Sequence, residues 1–533
     1  MKKESKKTDQ TKFSWIILGL ILVMTVILYG RSTRYGFMEG WDDLEYIENK
    51  EVQKADISRI FSGFQLGMYQ PLSVLSLSLN YSTAGTNAAP YHTANLFLHL
   101  INIILVFVFI NHLSRNKSLG VICALLFAIH PMNVEAVAWI SARSTLLFTG
   151  LSLGSLICYL KYKEHNRKWV WASIAVLLFI LALLAKSLAI TLPLVFLLND
   201  WYRKGKIKLW DGLEKIPLLA ISVIFGIITI RASESFGHIT PIETQFTLTE
   251  RVILNVHTII LYLFKALFPV NLSAIYAFPL KTTGHLGSLY YLSLIPAAGL
   301  IFLFFWKNRF RKEIIYGILF FLLSISIVLP LFWSRKFMAG ERYAYFSFIG
   351  IFFIIAHLYN YLVSGKLSIP DNVKRVIWSG AAVYIIFLAA TTFQRITVWS
   401  GTEKLMQDVI RKERTGPASA QAHYYKGSFD FDRQNYRSAL ESFSKAIELH
   451  PGFAEAYNDR GILKGMAGKY QEALNDFNQA VNNDPENPES YYNRGFALYQ
   501  LGMKTEACND WHHAQKLNFK PAINALIKYC EQQ

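Results

Sequence analysis

The sequence predicts an all-α protein in which a polytopic helical membrane domain of about eleven spans precedes an α-solenoid of short repeats. Two observations lead to this fold class. The 533-residue chain is 53% hydrophobic with a mean hydropathy of +0.26, which is too apolar for an ordinary soluble protein of this length. Its C-terminal part, by contrast, repeats itself with a fixed period of 34 residues.

Apolar runs follow one another along most of the chain, and each is near the ~20 residues that cross ~30 Å of hydrocarbon. Residues 1–12 form a basic tail, expected to be cytoplasmic. The run 13–29 that follows is predicted to be retained as the first span, because no convincing small-residue cleavage site comes after it. The later runs are 94–113, 119–140, 144–161, 169–185, 187–200, 213–230, 252–268, 286–306, 313–333, 343–362 and 376–394.

Short basic loops between the runs predict the topology, because lysine and arginine favour the cytoplasmic side. This placement also accounts for much of the net charge of +17, so nucleic acid is not an expected partner. The basic loops are Lys161–Lys168, Arg203–Lys208, Lys307–Lys312 and Lys366–Arg375.

Between two loops on the same side, the chain must cross the membrane an even number of times. This rule constrains the segments between the basic loops. Residues 169–200 join two cytoplasmic loops, which predicts two short helices that turn near Lys186. Residues 252–268 contain several polar side chains and are predicted to form an interfacial or re-entrant helix rather than a span. The membrane domain 13–399 then places its loop 31–92 and the C-terminal repeats on the extracytoplasmic face.

The repeats carry small and aromatic residues at fixed positions. A 34-residue period of this kind is the tetratricopeptide signature, and it predicts three repeats over 420–521, after a linker 400–419 and before a capping helix 522–533. Such an array either binds peptide or serves as a rigid spacer. The four cysteines show no metal spacing or disulfide framework. The matching positions are Gly427, Gly461 and Gly495; Ala439, Ala473 and Ala507; Phe443, Phe477 and Trp511; and Ala446, Ala480 and Ala514.

Several polar residues are predicted to lie at the outer face. Asp42 and Asp43 are either a general base or metal ligands, or an acidic turn that caps a short helix. His92 enters the second span, where polar side chains usually face a cavity or the bundle interior. A cluster of basic residues is predicted either to bind phosphate or to contact lipid headgroups. It consists of Arg335, Lys336 and Arg342.

The third span contains ionisable residues around a proline. Pro131 is expected to kink it, with His130 near mid-depth and Arg143 outside. A buried Glu135 is expensive unless it is paired, which predicts a functional or pairing role. Trp139 suits an interfacial aromatic belt.

Six motifs together resemble the transmembrane and tetratricopeptide-repeat O-mannosyltransferases and their bacterial relatives. The resemblance covers nearly the whole chain in order. It implies a C-superfamily glycosyltransferase that uses a polyprenyl-phosphate sugar on the extracytoplasmic face. The motifs are WDD, YQPLSVLSLSLNY, YHTANLFLHLIN, HPMNVEAVAWISARS, LFPVNLSAIY and ERYAYFS.

The resemblance also implies roles for individual residues. Asp42 and Asp43 match the acidic motif that carries the family's candidate base, with Asp43 slightly favoured. Lys186 matches a lysine near an outward turn. The family often has arginine where Gln70 stands and Lys–Glu where Lys186–Ser187 stands. Glu135 and Arg143 match the motif of the third span, and Glu341, Arg342 and Tyr343 match a late motif near the donor phosphate.

The expected function is therefore transfer of a sugar from a polyprenyl-phosphate donor to a hydroxyl acceptor, with protein Ser/Thr as the favoured acceptor. The repeats are expected to hold an acceptor protein or peptide. No cofactor is required, and a divalent metal at Asp42 and Asp43 is the alternative. One competing hypothesis is a non-catalytic membrane scaffold; another is a glycan- or lipid-modifying transferase with the same donor. A bacterial inner membrane is the expected location.

Overall fold

The chain is helical throughout the part described by the computed structural model, which comprises residues 2–164, 168–235, 246–281, 284–306, 309–331, 337–363 and 370–530. Extended pairing in these residues is limited to two isolated bridges. The all-α prediction is therefore confirmed. The chain divides into two compact units, Met1–Tyr276 with Lys281–Gly401, and Ala277–Leu280 with Thr402–Gln533.

The first unit contains the apolar helices. Their bounds are α1 Lys2–Tyr29, α2 Asp42–Glu48, α3 Lys50–Gln53, α4 Ile57–Ser62, α5 Pro71–Ala84, α6 Ala89–Ser114, α7 Lys117–Ile129, α8 Val134–Ala138, α9 Arg143–Glu164, α10 Trp169–Ala185, α11 Leu192–Lys204, α12 Leu209–Leu213, α13 Ile216–Glu234, α14 Leu248–Leu267, α15 Ser288–Leu292, α16 Leu294–Phe305, α17 Arg311–Ile325, α18 Ala344–Val363 and α19 Asp371–Val398.

Seven helices in the described residues are long and apolar enough to cross a membrane, or eight if the bent pair α7 and α8 forms one span. The expected count of about eleven is not confirmed. Several predicted spans are shorter than their apolar runs: α17 has 15 residues, and α11 has 13 after a 3-10 turn. Length and composition nevertheless make the first unit that of an integral membrane protein.

Two predicted irregularities are present. The chain bends by 60° between α7 and α8, where Pro131 removes a helical hydrogen bond. A second break comes at Lys186, whose extended backbone separates α10 from the following 3-10 turn. The segment 252–268 is helical up to residue 267, as part of α14, an amphipathic 20-residue helix that is not among the candidate spans.

Helices α17 and α18 approach each other closely through two glycines. A Cβ atom added to Gly350 would lie 2.4 Å from the carbonyl oxygen of Gly317. Small residues at such crossings let helix backbones approach within a membrane bundle. The close crossing therefore requires residues without a side chain at Gly317 and Gly350.

We expect Gly350→Ala to lower the free energy of unfolding by about 1–3 kcal/mol, the usual cost of overpacking. Thermal unfolding in detergent measures the effect. Gly380→Ala on α19 is the matched control, because no atom lies within 4 Å of its added Cβ. Equal melting of the Gly350 variant and the wild type would show that the two helices can separate without loss.

The second unit is the repeat array. The segment expected to be a linker contains a helix of its own, so 400–419 is not an open connection. The array's bounds are α20 Thr402–Lys412, α21 Pro417–Asp432, α22 Tyr436–Leu449, α23 Ala454–Met466, α24 Tyr470–Asn483, α25 Pro488–Gln500, α26 Lys504–Lys516 and the cap α27 Lys520–Tyr529.

Each repeat closes by packing a glycine of its first helix against an aromatic ring of its second. A Cβ on Gly461 would lie 2.7 Å from the Phe477 ring, and one on Gly495 would lie 2.5 Å from Trp511. The spacing therefore reflects helix crossings, as predicted. Arginine and aspartate add a periodic contact that the sequence analysis missed: Arg494 binds Asp510 through two bonds of 2.7 Å.

A disulfide corrects the sequence analysis, which found no disulfide framework. Cys508 on α26 is bonded to Cys530, just after α27, with Cα atoms 6.0 Å apart. Two cysteines 22 residues apart give no recognisable spacing, and only the fold of the last helix brings them together. The bond ties the cap to the third repeat.

Candidate functional site

The acidic motif after the first span is anchored through Asp43. This residue is fully buried in the first turn of α2. The Met38 N–H donates to its Oδ2 at 2.9 Å, and the Ser141 N–H donates to its Oδ1 at 2.9 Å. Burial raises the pKa of Asp43 to about 6, although these bonds act to lower it. Asp43 therefore fastens the outer loop to the turn that follows α8.

Asp42 has a different environment although it is the neighbouring residue. It is only partly buried, and its charge interacts with that of Arg342. A partly exposed carboxylate can reach a bound molecule, whereas the buried Asp43 is enclosed by its donors. The resemblance slightly favoured Asp43 as the base, whereas the structure encloses Asp43 and leaves Asp42 partly exposed.

Glu135 and Arg342 form a buried ion pair. Glu135 is fully buried on α8. The Arg342 guanidinium pairs with its Oε1, and the Arg342 backbone N–H donates to its Oε2 at 3.1 Å. Burying a carboxylate requires a partner of this kind. Glu135 consequently holds Arg342 in place through both its side chain and its backbone.

Lys186 and Arg342 both lie near the aromatic ring of Tyr343. Its Nζ donates to the Thr145 hydroxyl at 2.6 Å and lies 5.7 Å from the centre of the Tyr343 ring. The Arg342 guanidinium lies 4.7 Å from the same ring centre. The break after α10 and the 3-10 turn Glu341–Tyr343 before α18 therefore bring two cations to one aromatic side chain.

Glu341 precedes Arg342 in the chain and binds a different arginine. It is fully buried, and Arg395 on α19 binds it through two contacts of 3.2 Å. Its expected place in an acceptor cavity stays a prediction; in the structure Arg395 holds both of its carboxylate oxygens. Arg395 was missed by the sequence analysis, where no motif connects it with Glu341.

Three further residues expected near the cavity have structural contacts. Arg143, expected at the outer end of the third span, is 1% exposed, and its Nη2 donates to the Tyr91 carbonyl at 2.7 Å. Both ring nitrogens of His130 contact backbone atoms, at 3.3 Å each. His92 Nε2 lies 3.2 Å from the Gly36 carbonyl oxygen. These side chains are held in place by the helices and loops around them.

Trp139 does not belong to a lipid-facing belt, because its side chain is buried within the protein. It packs with Trp41 and Trp399, with ring centres 5.2 and 6.0 Å away. The indole also stacks under Arg342, 4.9 Å from its guanidinium carbon. The cluster of three tryptophans thus packs against Arg342 through Trp139. Arg335 and Lys336 lie outside the described residues.

The described residues contain one group of three carboxylates close enough to share a metal: Asp200, Asp211 and Glu214. Lysines already neutralise it; Lys215, for example, lies 2.9 Å from Asp200. At the acidic motif, a metal would have to displace the N–H donors of Asp43. The donor set there fits hydrogen bonding better than metal binding.

Comparison with known proteins supports the resemblance. Two tetratricopeptide models match the chain, a TPR repeat over residues 467–502 and a Tetratricopeptide repeat over 442–475. Protein O-mannosyl-transferase TMTC3 of Mus musculus is 23% identical over 83% of this chain and 52% of its own length. Protein O-mannosyl-transferase Tmtc1 of Drosophila melanogaster is 38% identical over 27% of this chain and 17% of its own.

A solved structure of ArnT from Cupriavidus metallidurans bound to undecaprenyl phosphate matches 90% of this chain and 78% of its own, with 12% identity and a TM-score of 0.37. That score is too low to establish a shared fold. The chain spans about half the length of the curated relatives it matches. Their names and the matched repeats confirm the resemblance: this chain is a homologue of the transmembrane and tetratricopeptide-repeat O-mannosyltransferases.

Proposed function

We propose that the chain transfers a sugar from a polyprenyl-phosphate donor to a hydroxyl group, with protein serine or threonine as the acceptor, on the extracytoplasmic face. The observation that carries this proposal is the convergence of the Arg342 and Lys186 cations on the Tyr343 ring, together with the interaction between the charges of Asp42 and Arg342. These residues come from three separate parts of the sequence. The names of the relatives favour the same reaction class, and a C-superfamily membrane domain is the expected scaffold.

The chemistry assigns one task to each side chain. Asp42 accepts the proton of the acceptor hydroxyl while the hydroxyl oxygen forms a bond to the sugar carbon. The bond between that carbon and the phosphate oxygen breaks, and polyprenyl phosphate leaves with the electron pair. Arg342 and Lys186 stabilise the charge that develops on the phosphate. Glu135 keeps the guanidinium oriented before the donor arrives.

A site at the end of the spans suits such a donor. The polyprenyl chain stays in the bilayer while the sugar phosphate reaches the site through the membrane surface. The repeat array presents a long surface of stacked helices, which in such solenoids commonly holds an extended partner. We propose that it holds the acceptor segment near the membrane.

Transfer from labelled polyprenyl-phosphate sugars tests the proposal. Membranes that contain the protein should move label onto protein in a linkage that alkali releases, as expected for serine and threonine. Label on glycan or lipid would support the alternative transferase. Absence of transfer from every donor, combined with capture of envelope proteins by the repeats, would support a scaffold instead.

The disulfide supports an extracytoplasmic position of the repeats, because such bonds persist in oxidising compartments. We expect a bulky maleimide to label Cys508 and Cys530 only after reduction, measured as a gel shift of the denatured protein. Cys508→Ser is the control, because it leaves Cys530 with a reactive thiol.

A reporter that is active only outside the cytoplasm, fused after Gln533, should also be active. Thiols that react without reduction, together with activity of a cytoplasm-specific reporter at the same position, would place the repeats on the other face. A bacterial inner membrane remains the expected location.

A further inference from the structure

Arg395 is a buried cation outside the proposed reaction centre. It lies near the end of α19 and is 3% exposed. Its Nε and Nη2 donate to the two carboxylate oxygens of Glu341, each at 3.2 Å. Such a paired arrangement fixes the direction of a carboxylate as well as its position. Arg395 therefore defines where Glu341 can lie.

The short 3-10 turn Glu341–Tyr343 receives further support from two tyrosines. The Tyr276 hydroxyl donates to Glu341 at 3.2 Å. The Tyr262 hydroxyl donates to the Gly340 carbonyl at 2.9 Å and accepts from the Gly340 N–H at 3.0 Å. The turn leads into α18, and these contacts hold it in place independently of Glu135.

Two ion pairs thus meet at adjacent residues. Glu341 is held by α19 through Arg395, while Arg342 reaches α8 through Glu135. Because consecutive residues in a short turn move together, displacement of Glu341 displaces the backbone of Arg342. The Arg342 N–H also donates to Glu135, so a backbone shift affects two contacts of that pair.

We propose that Arg395 is a positioning residue for donor binding: through Glu341 it sets the place of Arg342, and with it the recognition of the donor phosphate. This inference rests on the proposed function. It adds a residue on the last helix of the membrane unit to a site whose other members come from the loops and from earlier helices.

Binding of polyprenyl phosphate to the purified full chain tests the inference in a double-variant cycle. We expect Arg395→Gln to weaken binding about 10–100-fold, because a misplacement of about 1 Å remote from the chemistry has effects of this size. Arg342→Gln should weaken it directly. If Arg395 acts through Arg342, the double variant should bind no worse than Arg342→Gln alone.

Arg31→Gln is the matched control. Arg31 also contacts α19, through the Phe393 carbonyl and ring, and within the described part of the chain none of its contacts is with the turn. Its binding should equal that of the wild type. Should Arg395→Gln fail to accumulate, Arg395→Lys takes its place in the cycle, because it keeps the charge and loses the paired geometry.

The outcomes separate the two proposals. The positioning role would be overturned if the losses of affinity of the two single variants multiplied in the double variant. Unchanged binding by a folded Arg395 variant would overturn it as well. Absence of polyprenyl-phosphate binding by the wild type would instead contradict the proposed function itself. A merely structural role would reduce the amount of folded protein and leave the dissociation constant of the folded fraction unchanged.

Discussion

Replacing Asp42 by asparagine should lower sugar transfer by about 10²–10⁴-fold, the usual contribution of a positioned general base. The substitution keeps the size of the side chain and removes its basicity. Asp42 is partly exposed, so the protein should still fold and insert. Initial rates with labelled donor, normalised to folded protein, measure the loss.

Asp43→Asn is the informative comparison. An asparagine amide group would face the Met38 or Ser141 N–H in place of an accepting oxygen, and a buried donor without an acceptor costs about 1–3 kcal/mol. We therefore expect Asp43→Asn to lower thermal stability first. Full transfer by Asp42→Asn, with loss in a stable Asp43→Asn protein, would make Asp43 the base. Recovery of a lost activity with a different divalent cation would favour metal ligation.

Removal of Arg342 should have the second largest effect, on both folding and donor use. Arg342→Gln leaves the buried Glu135 carboxylate without its ion-pair partner, and breaking a buried pair in this way costs about 3–5 kcal/mol. Transfer should fall at least 100-fold, because the developing phosphate charge loses a stabilising cation. Melting temperature and donor kcat/KM measure the two effects separately.

The double variant Glu135→Gln with Arg342→Gln separates stability from catalysis. It removes both charges, so stability should recover while transfer stays low. Lys186→Gln should lower kcat/KM about 10–100-fold, the value of one hydrogen bond to a charged group. The control is Lys374→Gln, because Lys374 is a surface residue that is paired only with Asp371 in the described contacts. The kcat/KM of this variant should equal that of the wild type. Recovery of transfer in the double variant would show that Arg342 serves folding alone.

The features that were predictable from the sequence depend on local chemistry. Gly461 and Phe477 recur with the repeat period because each repeat needs the same close helix crossing. The break at Lys186 followed from charge parity between two basic loops, since the chain must return to the same face. Glu135 was recognisable because an ionisable residue inside an apolar run needs a partner.

The features that were missed depend on distant partners. Glu341 and Arg395 are 54 residues apart, and neither residue type indicates the other. The acidic motif slightly favoured Asp43 as the base, and only the turn around Ser141 shows that Asp43 is buried as an anchor. Cys508 and Cys530 meet because the cap folds back on the third repeat. The span count differs because helix breaks shorten several apolar runs.

A structure of the full chain with a bound polyprenyl-phosphate sugar tests the central claim most directly. The account predicts the phosphate beside Tyr343, with Lys186 Nζ and the Arg342 guanidinium at about 2.7–2.9 Å from its oxygens, and the sugar facing Asp42. A phosphate bound away from both cations, or a Lys186 side chain turned to the lipid while the donor is bound, would contradict it.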